Sequence, residues 1–580
     1  MGTFDLTTVD LIVMAVYAIF IIGYGLYSAK AKSSEEYFLA GRDMTWPIVG
    51  ISLFAANISS STLVGLAGDA YKTNTNVFNY EWLASVVLVF FAIFFLPFYL
   101  KPRVYTMPEF MERRYDVRSR YYFSFVTIIG NVLLDTAAGL YVGTVVLKLM
   151  FPDLSTATIV VILAVAAAAY TVPGGLNSVI QTEVIQAILL ILGSCLITYY
   201  AFDQVGGWSG LIAGLNEMGA DGALPRSGGT YQPENAEEVL SLVRPVGEGT
   251  RNFLLGTGGD GFMPWTGLLL GAPILGFYFW ANNQFMVQRV LGARDINHGR
   301  WGALFAGLLK LPVLFIMVLP GTAAILLFSE LDIAAVNYQL AGGGTCQNLQ
   351  DYPNAIYPLL LFQLLPTGIL GLVLAGLLAA MMSSVSATFN SASTLITMDF
   401  AVKLKPDLTS KQLVRIGQVS TLILVILACL WAPQIEAFPS LWEYLQLVLS
   451  FIAPPIAAAF IVGLFSTRAN GTGAFISLLT GAAVSIAYLL ADNADVDNWF
   501  TQMHFLHRTF YLFVLCALVN VIVSRLTPPP PADKIANYTW SRRLIEEETE
   551  ELADLPWYQN YRIQAVILLV VTFLLVGYFW

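Results

Sequence analysis

Serine hydroxyls stand within one long apolar stretch of the chain, near residues 359–400. Ser383, Ser384 and Ser386 follow Ala380 there, and helical residues three or four positions apart share one face. Hard cations prefer oxygen ligands. Two such hydroxyls, together with backbone carbonyls released by a broken helix, can enclose a dehydrated Na⁺ without a fixed charge. The alternative, equally common for an isolated serine, is a hydroxyl that bonds back to its own helix.

Two other apolar stretches contain residues that interrupt a helix. One reads AANISSSTLVGLAG (55–68), with an asparagine and a run of hydroxyls at mid-depth, and the other reads GAPILGFYFWANNQ (271–284). In the second, Pro273, Gly276, Asn282 and Asn283 break the apolar run. Interior proline and glycine free backbone groups that a cavity or a neighbouring helix must satisfy. Small residues also serve close helix packing, but the two interruptions together favour a binding site.

Single polar residues in apolar surroundings have two interpretations each. Lys310 lies ten residues after Arg300, so about 15 Å deeper along a helix, where a lysine normally faces a cavity or a partner. Glu81 is either a site residue or an anchor at the membrane interface. Gln446 belongs to a site or bonds a neighbouring helix. Glu183 is either an ion site near one membrane face or a surface carboxylate.

The composition indicates which kind of structural element must position these residues. Of 580 residues, 57% are apolar and 12% are charged, and the mean hydropathy is +0.68. A soluble chain carries about twice that share of charge, and a net charge of −10 disfavours a polyanionic partner such as nucleic acid. The apolar residues fall into blocks of about 20, the length that crosses a bilayer. The sequence therefore predicts an all-α polytopic membrane protein.

We predict about fourteen transmembrane helices, near 6–29, 46–70, 79–100, 121–149, 156–173, 176–203, 263–290, 299–328, 359–400, 411–432, 440–465, 471–490, 504–526 and 563–580. Lys30 and Lys32 follow the first span, which predicts that the N-terminus is outside, and an even number of spans returns the C-terminus to the same side. With this orientation 22 of the 29 Lys and Arg residues lie on the inner side, as the positive-inside rule requires.

The interrupted spans are the second and the seventh, so they open two successive groups of five. This spacing is typical of an inverted-repeat transporter whose discontinuous helices bind substrate and ion near the midplane. The predicted divisions are an extra N-terminal helix with an inner loop (1–45), a first five-helix repeat (46–204), an external loop (205–262), a second five-helix repeat (263–465) and C-terminal helices with a proline-rich inner loop (466–580). No enzyme domain fits in what remains, so we expect no catalytic activity.

Several ordered motifs carry a family resemblance along nearly the whole chain. They are EEYFLAGR (35–42), SLFAANIS (52–59), NYEW (79–82), YTMPEFMERRY (105–115), GGLNSVIQTEVIQ (174–186), QFMVQRVLGAR (284–294) and SSVSATFNSASTLITMD (383–399). With these motifs the chain resembles the sodium/solute symporter family, in its sodium/glucose cotransporter branch, and looks most like the bacterial sodium/galactose members. The resemblance implies a LeuT-type core of ten helices, five in each inverted repeat, within fourteen spans.

The resemblance also implies one Na⁺ site. Its ligands are backbone carbonyls and hydroxyls of five residues, Ala55, Ile58, Ala380, Ser383 and Ser384. Glu183 falls where the family has an aspartate near the inner Na⁺ exit. Ser386 fits the second Na⁺ site of some relatives, whereas Ala387 lacks the hydroxyl that some of them have.

The implied substrate site combines amides, one carboxylate, one ammonium and an aromatic face. Such a set suits a ring of hydroxyls, because each buried hydroxyl needs both donors and acceptors. The implied substrate-binding residues are Asn57, Thr62, Glu81, Phe279, Lys310 and Gln446. The implied gate residues are Leu66, Tyr80, Tyr278 and Trp442.

Several positions depart from the galactose-type pattern. Ser61-Thr62 replaces a Glu-Gln pair, Gly276 replaces an asparagine, Phe279 replaces a tyrosine and Ala84 replaces a serine. These changes remove hydrogen-bonding groups, so the predicted cargo is a neutral monosaccharide or polyol with altered selectivity rather than galactose itself.

The expected function is Na⁺-coupled import of that cargo by alternating access, with Na⁺ as the coupling ion. Its expected partners are Na⁺, the sugar or polyol and the lipid bilayer, without nucleic acid or an obligatory protein partner, and its expected location is a bacterial inner membrane. Two alternatives remain: a Na⁺ symporter of a carboxylate such as sialic acid or an amino acid, and a sugar sensor that does not transport.

Overall fold

The computed structural model describes residues 6–29, 33–151, 153–227, 230–329, 349–350, 352–437, 441–494, 498–553 and 555–580, which are largely helical. The extended pairings within these ranges are two isolated bridges, Met44 with Ala293 and Ser227 with Tyr231. A chain in lipid must satisfy its backbone groups within each segment, and a helix does so. The predicted all-helical class is confirmed.

The first half of the chain supplies helices α1 to α13, the last three of which lie within the segment 205–262. They are α1 (Thr8–Ser28), α2 (Ser34–Leu39), α3 (Trp46–Asn57), α4 (Ser60–Thr73), α5 (Asn79–Phe90), α6 (Leu96–Leu100), α7 (Met107–Arg114), α8 (Val117–Gly130), α9 (Ala137–Met150), α10 (Thr156–Val205), α11 (Gly207–Ala220), α12 (Ala236–Leu240) and α13 (Thr250–Leu255).

The second half continues in the same way. Its helices are α14 (Trp265–Leu270), α15 (Ala272–Phe277), α16 (Gln284–Leu291), α17 (Ile296–Lys310), α18 (Leu319–Leu327), α19 (Ile356–Leu364), α20 (Ile369–Leu395), α21 (Val402–Leu404), α22 (Ser410–Trp431), α23 (Leu441–Phe465), α24 (Gly471–Asn493), α25 (Phe505–Leu526), α26 (Ala532–Ala536), α27 (Arg542–Ala553) and α28 (Tyr561–Tyr578). Short π-helices join α5 to α6, α8 to α9 and α20 to α21.

By length and composition, the described residues contain 10 helical runs that could cross a membrane, or up to 11 if a bent pair formed by α17 and the helix after it is one span. Two of these runs, Ser60–Leu100 and Thr156–Val205, have 41 and 50 residues. Each is about twice as long as one crossing needs, and each includes residues of two predicted spans. The chain is therefore a multi-pass membrane protein, and the number fourteen stays a prediction.

The bundle is packed at its centre and apolar at its rim. The long helix α10 lies along α20, α17 packs against α3 and α5, and α23, α24 and α25 pack together. On outlying helices, Ile19, Leu430 and Leu574 keep about 70% of their surface exposed (74%, 69% and 70%). Apolar side chains exposed in this way fit contact with lipid rather than with water.

Arg114, one of the basic residues predicted for the inner side, is fully buried and closes the end of α23. Its guanidinium donates to the carbonyls of Gly463 at 2.7 Å, Ala469 at 3.0 Å and Ser466 at 2.6 Å. The last carbonyls of a helix have no intrahelical donor, so this arginine supplies one and attaches α7 to the end of α23.

The helix α10 is broken at Gly175, whose φ and ψ are 57° and −153°. The break follows Pro173 and lies against α2, because the carbonyl of Val172 accepts a hydrogen bond from the Tyr37 hydroxyl at 2.9 Å. A Cβ atom at Gly175 would lie 2.4 Å from the backbone oxygen of Tyr37. Only glycine fits both this backbone conformation and this approach.

We therefore expect Gly175→Ala to lower the free energy of unfolding by about 1–3 kcal/mol or more, since it combines backbone strain with a backbone clash. Thermal unfolding of the purified protein in detergent measures the effect. Gly577→Ala is the matched control, because a Cβ atom at Gly577 would meet nothing within 4 Å. Equal melting temperatures for the two variants would contradict this account of the break.

Candidate functional site

The first interruption separates α3 from α4 and releases two backbone carbonyls. Ile58 and Ser59 leave the helical region, with φ/ψ of −80°/76° and −88°/173°. The Ser59 N–H donates to the Asn57 carbonyl at 2.9 Å, and the Thr62 N–H donates to the Ser59 hydroxyl at 3.3 Å. In a continuous helix these two N–H groups would bond the carbonyls of Ala55 and Ile58. Both carbonyls therefore lose their ordinary donors.

The second interruption lies between α15 and α16. A π-helical turn, Tyr278–Asn282, ends at Asn283, which is extended with φ −67° and ψ 126°. The Asn283 N–H donates to the Tyr278 carbonyl at 2.8 Å, and its side chain accepts from the Phe285 N–H at 3.3 Å. Both interruptions expected from the sequence are thus present, and π-helical turns of this kind often occur at functional sites.

A cavity of about 110 Å³ lies between the two interruptions. Residues of α3, α4, α5, α17, α20 and α23 line it together with residues from the π-helical turns after α8 and α15. All the residues that we predicted to bind substrate are among its walls: Asn57, Thr62, Glu81, Phe279, Lys310 and Gln446. Six positions from different helical segments, between residues 57 and 446, are thus brought into one space.

Lys310 is paired inside this cavity. Its ammonium donates to the Asn57 side-chain oxygen and forms an ion pair with Glu81, and the two charged side chains are 1% and 3% exposed. The ammonium also lies 5.6 Å from the centre of the Trp280 ring and 6.0 Å from that of Phe54. Glu81 is therefore buried in an ion pair and is not an anchor at the membrane interface.

The remaining walls divide into a hydroxyl side and an aromatic side. The Thr62 hydroxyl donates to the Asn57 carbonyl at 2.6 Å, and the hydroxyls of Ser59 and Ser61 lie 2.8 Å apart. On the aromatic side, the Phe279 ring meets the Trp280 ring edge-on, with centroids 5.4 Å apart. A flat apolar surface facing a set of donors and acceptors fits a ring whose edge carries hydroxyls.

Asp135 adds a second carboxylate to the cavity wall. It lies in the π-helical turn Asn131–Thr136, and the nearby side chains that interact with it electrostatically are Tyr278 and Tyr444. Within the ranges that the structure describes, its carboxylate has no hydrogen bond or ion pair. Unlike Glu81, it is therefore available to a ligand.

Of the Na⁺ ligands implied by the resemblance, three belong to α20, which packs against both α3 and α4. The Ser384 hydroxyl donates to the Ala380 carbonyl at 3.1 Å, so at this residue the hydroxyl does bond back to its own helix. The Ser383 hydroxyl is buried and has no hydrogen-bond partner among the described residues. It lies near the carboxylate of Glu183.

Glu183 is fully buried and is not a surface carboxylate. It forms an ion pair with Arg289, also fully buried, and accepts a hydrogen bond from the Ser52 hydroxyl at 2.9 Å. Ser386 belongs to a separate polar contact, where its hydroxyl donates to the Tyr170 hydroxyl at 2.9 Å. Neither Glu183 nor Ser386 is among the described walls of the cavity.

The implied gate residues differ in their positions. Tyr80 lines the cavity and meets the Phe262 ring edge-on, with centroids 6.0 Å apart. Leu66 and Tyr278 are buried, at 0% and 2% exposure, outside the described cavity walls. The side chain of Trp442 lies outside the described part of the chain.

A family model named "Sodium:solute symporter family" matches residues 37–481. The chain belongs to this family. Among its relatives are sodium/glucose cotransporter 4 of Danio rerio, 32% identical over 96% of this chain and 84% of the relative, and sodium/myo-inositol cotransporter 2 of Oryctolagus cuniculus, 34% identical over 92% and 79%. A sodium/mannose cotransporter of Bos taurus is 33% identical over 92% of this chain and 89% of its own length.

Solved structures show the same fold. A Na⁺-coupled sialic acid symporter in a substrate-bound, outward-open state superposes with a TM-score of 0.70 at 22% identity, over 90% of this chain and 99% of that one. A nucleobase-cation-symport-1 family transporter superposes with a TM-score of 0.54 at 13% identity, over 88% and 99%. These neighbours have the LeuT fold, so the fold class expected from the resemblance is confirmed at that level.

Sequence reasoning missed several cavity residues of this sodium:solute symporter family member, and for one of them, Asp135, a signal existed. Asp135 is a carboxylate within the apolar span predicted near 121–149. The rule that singled out Lys310, that an ionisable residue within the membrane marks a functional site, applies equally to Asp135. The walls also include Trp280 and Thr388, which have no comparable signal because aromatic and hydroxyl residues are common in membrane helices.

We expect Lys310→Met to lower the free energy of unfolding by about 3–5 kcal/mol, because it leaves the Glu81 carboxylate buried without its partner. The double variant Lys310→Met/Glu81→Gln removes both charges and is expected to recover most of that loss. Thermal unfolding in detergent checks both, with Lys411→Met, an exposed lysine at the start of α22, as the control. A double variant less stable than the single one would contradict the pairing.

Proposed function

We propose that this chain is a Na⁺-coupled symporter that imports a neutral monosaccharide or polyol by alternating access. The relatives are named for sodium together with glucose, myo-inositol or mannose. The observation that carries the proposal is the cavity between two broken helices, in which Lys310 is held by Glu81 and Asn57. Its family consists of transporters, and we propose no catalytic activity.

The cargo would meet complementary groups on each side. Asn57, Glu81, Lys310, Gln446 and Thr62 offer amide, carboxylate, ammonium and hydroxyl groups that match hydroxyls acting as both donors and acceptors. Phe279 would stack on the apolar face of the ring, and the predicted gate residues Leu66, Tyr80, Tyr278 and Trp442 would close the access paths.

The charges of the cavity support a neutral cargo over a carboxylate such as sialic acid or an amino acid. The positive charge of Lys310 is already neutralised by Glu81, and the other ionisable group among the described walls, Asp135, is an acid. In either protonation state of Asp135 the walls hold no uncompensated positive charge. A carboxylate cargo would have no partner and, beside ionised Asp135, would be repelled.

The proposed Na⁺ site joins the first interruption to α20. The carbonyls of Ala55 and Ile58 lack their ordinary helical donors, and the Ser383 hydroxyl is buried with no described hydrogen-bond partner. Oxygen atoms of this kind suit a hard cation. The carbonyl of Ala380 and the hydroxyl of Ser384 would complete it.

Na⁺ bound in this way would hold α3, α4 and α20 in one arrangement. It can shift the conformational equilibrium only because it binds that arrangement more tightly than the others. Glu183 would serve as the exit or, with Ser386, as a second site, and the ion pair with Arg289 would have to open for this role.

We also propose the finer architecture expected from the sequence. It has fourteen spans with two inverted five-helix repeats (46–204 and 263–465), preceded by 1–45, separated by the external loop 205–262 and followed by 466–580. The protein would lie in a bacterial inner membrane with both termini on the outer side, and it would need no obligatory protein partner.

One Na⁺ crossing about 120 mV gains about 2.8 kcal/mol. A tenfold gradient adds about 1.4 kcal/mol, so the limit is about a thousandfold accumulation.

The test of function is uptake of labelled hexoses and polyols into proteoliposomes with an inward Na⁺ gradient or with K⁺ instead. We expect concentrative uptake of at least one neutral sugar or polyol only with Na⁺. Ser383→Ala is expected to raise the Na⁺ concentration for half-maximal uptake at least about tenfold, because the cation loses one of its oxygen ligands and an interaction with a charged group is worth about 1.5–3 kcal/mol. Ser393→Ala, a buried serine on the same helix, is the control and is expected to leave it unchanged.

Other outcomes would decide between the alternatives. Uptake of a carboxylate without any neutral sugar would overturn the proposed cargo and leave the family intact. Binding of a sugar, seen as a shift in melting temperature, without accumulation would identify a sensor.

A second transport prediction concerns charge selectivity. Asp135→Asn is expected to reduce the preference for a transported hexose over its uronate about tenfold, because it removes a like charge from the cavity wall. Competition of the uronate against labelled hexose uptake measures this ratio. The isosteric amide keeps the volume of the side chain, so an unchanged ratio would show that Asp135 does not set the charge selectivity.

A further inference from the structure

A second cavity of about 430 Å³ shares no wall with the central one and is lined by residues of α13, α23, α24 and α25 and of the segment 499–503. Its walls are almost entirely apolar and include Val484, Leu512 and Leu515. It reaches the surface of the protein, because two of its lining residues, Leu515 and Trp499, are 39% and 64% exposed. We call it the α24–α25 groove.

One charged residue, Arg508, stands among the described walls of the groove. The residue is only 4% exposed. Its guanidinium lies 3.7 Å from the centre of the Tyr488 ring and 4.9 Å from that of Phe451. Two aromatic faces thus hold the cation in one orientation.

The guanidinium is poorly satisfied by the protein. It donates one long hydrogen bond, at 3.4 Å, to the Ser450 hydroxyl, and its Nε atom is buried without a hydrogen-bond partner in the described ranges. The Tyr488 side chain and, more weakly, Asp492 interact with it electrostatically, but no carboxylate among the described residues lies within ion-pair distance. Burying an arginine whose five N–H donors meet so few acceptors costs free energy unless an anion accepts hydrogen bonds from the unpaired donors.

The depth of Arg508 indicates where that anion would come from. Arg508 lies in the first turn of α25, a helix that is long and apolar enough to span the membrane. The first turn of such a helix lies at the level of the lipid head groups. Leu515 is seven residues further, about 10 Å deeper along the helix. The groove therefore offers a cation at head-group depth and an apolar channel beneath it.

We infer that the α24–α25 groove binds an anionic phospholipid, with the phosphate on the Arg508 guanidinium and one acyl chain beside Val484, Leu512 and Leu515. The planar fork of an arginine matches phosphate oxygens in pairs. An acyl chain that moves from the bilayer into the groove stays in apolar surroundings, so its transfer contributes little to selectivity. Selectivity between lipids therefore comes from the contact of the head group with Arg508. This site is separate from the central cavity, and the inference does not rest on the proposed cargo.

Native mass spectrometry of the purified full-length protein tests this inference after incubation with equal amounts of phosphatidylglycerol and phosphatidylcholine that carry the same acyl chains. We expect one retained lipid with at least about a fivefold preference for phosphatidylglycerol, the effect of one arginine at the membrane surface. Arg508→Gln is expected to abolish the preference. Arg525→Gln, an exposed arginine at the other end of α25, is expected to keep it.

A second variant keeps the test decisive if Arg508→Gln does not fold. Val484→Phe fills the groove without altering the guanidinium, and it is expected to reduce retention of phosphatidylglycerol while the lipid-free melting temperature stays unchanged. Equal retention of both lipids by the wild type, or a preference that survives both Arg508→Gln and Val484→Phe, would overturn the inference. Displacement of phosphatidylglycerol by equimolar oleate would overturn it in favour of a free fatty acid. Uptake is measured separately, so failure of the lipid site and failure of the transport proposal are distinguishable.

Discussion

A lysine in the middle of a membrane must have a partner, and much of the centre of this molecule is arranged around that requirement. Lys310 belongs to α17, Glu81 to α5 and Asn57 to the end of α3. The two contacts of Lys310 therefore join three helices at the point where the first broken helix leaves its regular geometry. Because the cost of an unpaired buried charge is large, these helices are held together there for a chemical reason and not only by packing.

A second buried charge, close to the other broken helix, also has a partner. Arg289 lies on α16, directly after the second interruption, and its partner Glu183 lies on α10. Each interruption therefore lies beside a buried ion pair: Lys310 of the first pair also bonds Asn57 at the end of α3, and Arg289 of the second lies on α16 itself. A movement that separates either pair must supply water or another ligand in its place. If the bundle moves during transport, these charges would link that movement to ligand binding in the cavity.

The sequence predicted some of this arrangement and could not predict the rest. The two interruptions followed from local chemistry, since asparagine, serine, proline and glycine within apolar runs cannot all be accommodated in a regular helix. The shared cavity of Asn57, Glu81, Lys310 and Gln446 was expected from the family resemblance, position by position. The pairing of Lys310 with Glu81 was not, because it joins residues 229 positions apart and depends on how α5 and α17 pack. Nor does periodicity separate one long kinked helix from two short spans, as α10 with its break at Gly175 illustrates.

The nature of the proposed Na⁺ ligands bears on how charge moves through the cycle. Carbonyl and hydroxyl oxygens are neutral, and the fixed charges of Lys310 and Glu81 cancel each other. If Na⁺ binds to neutral oxygens and the cargo is neutral, the ion brings its whole positive charge across the membrane, and the membrane potential acts on every cycle. An anionic cargo would cancel that charge and forfeit the larger part of the driving force. With the proposed neutral ion ligands, a cavity without free positive charge would let transport draw on the membrane potential as well as on the Na⁺ gradient.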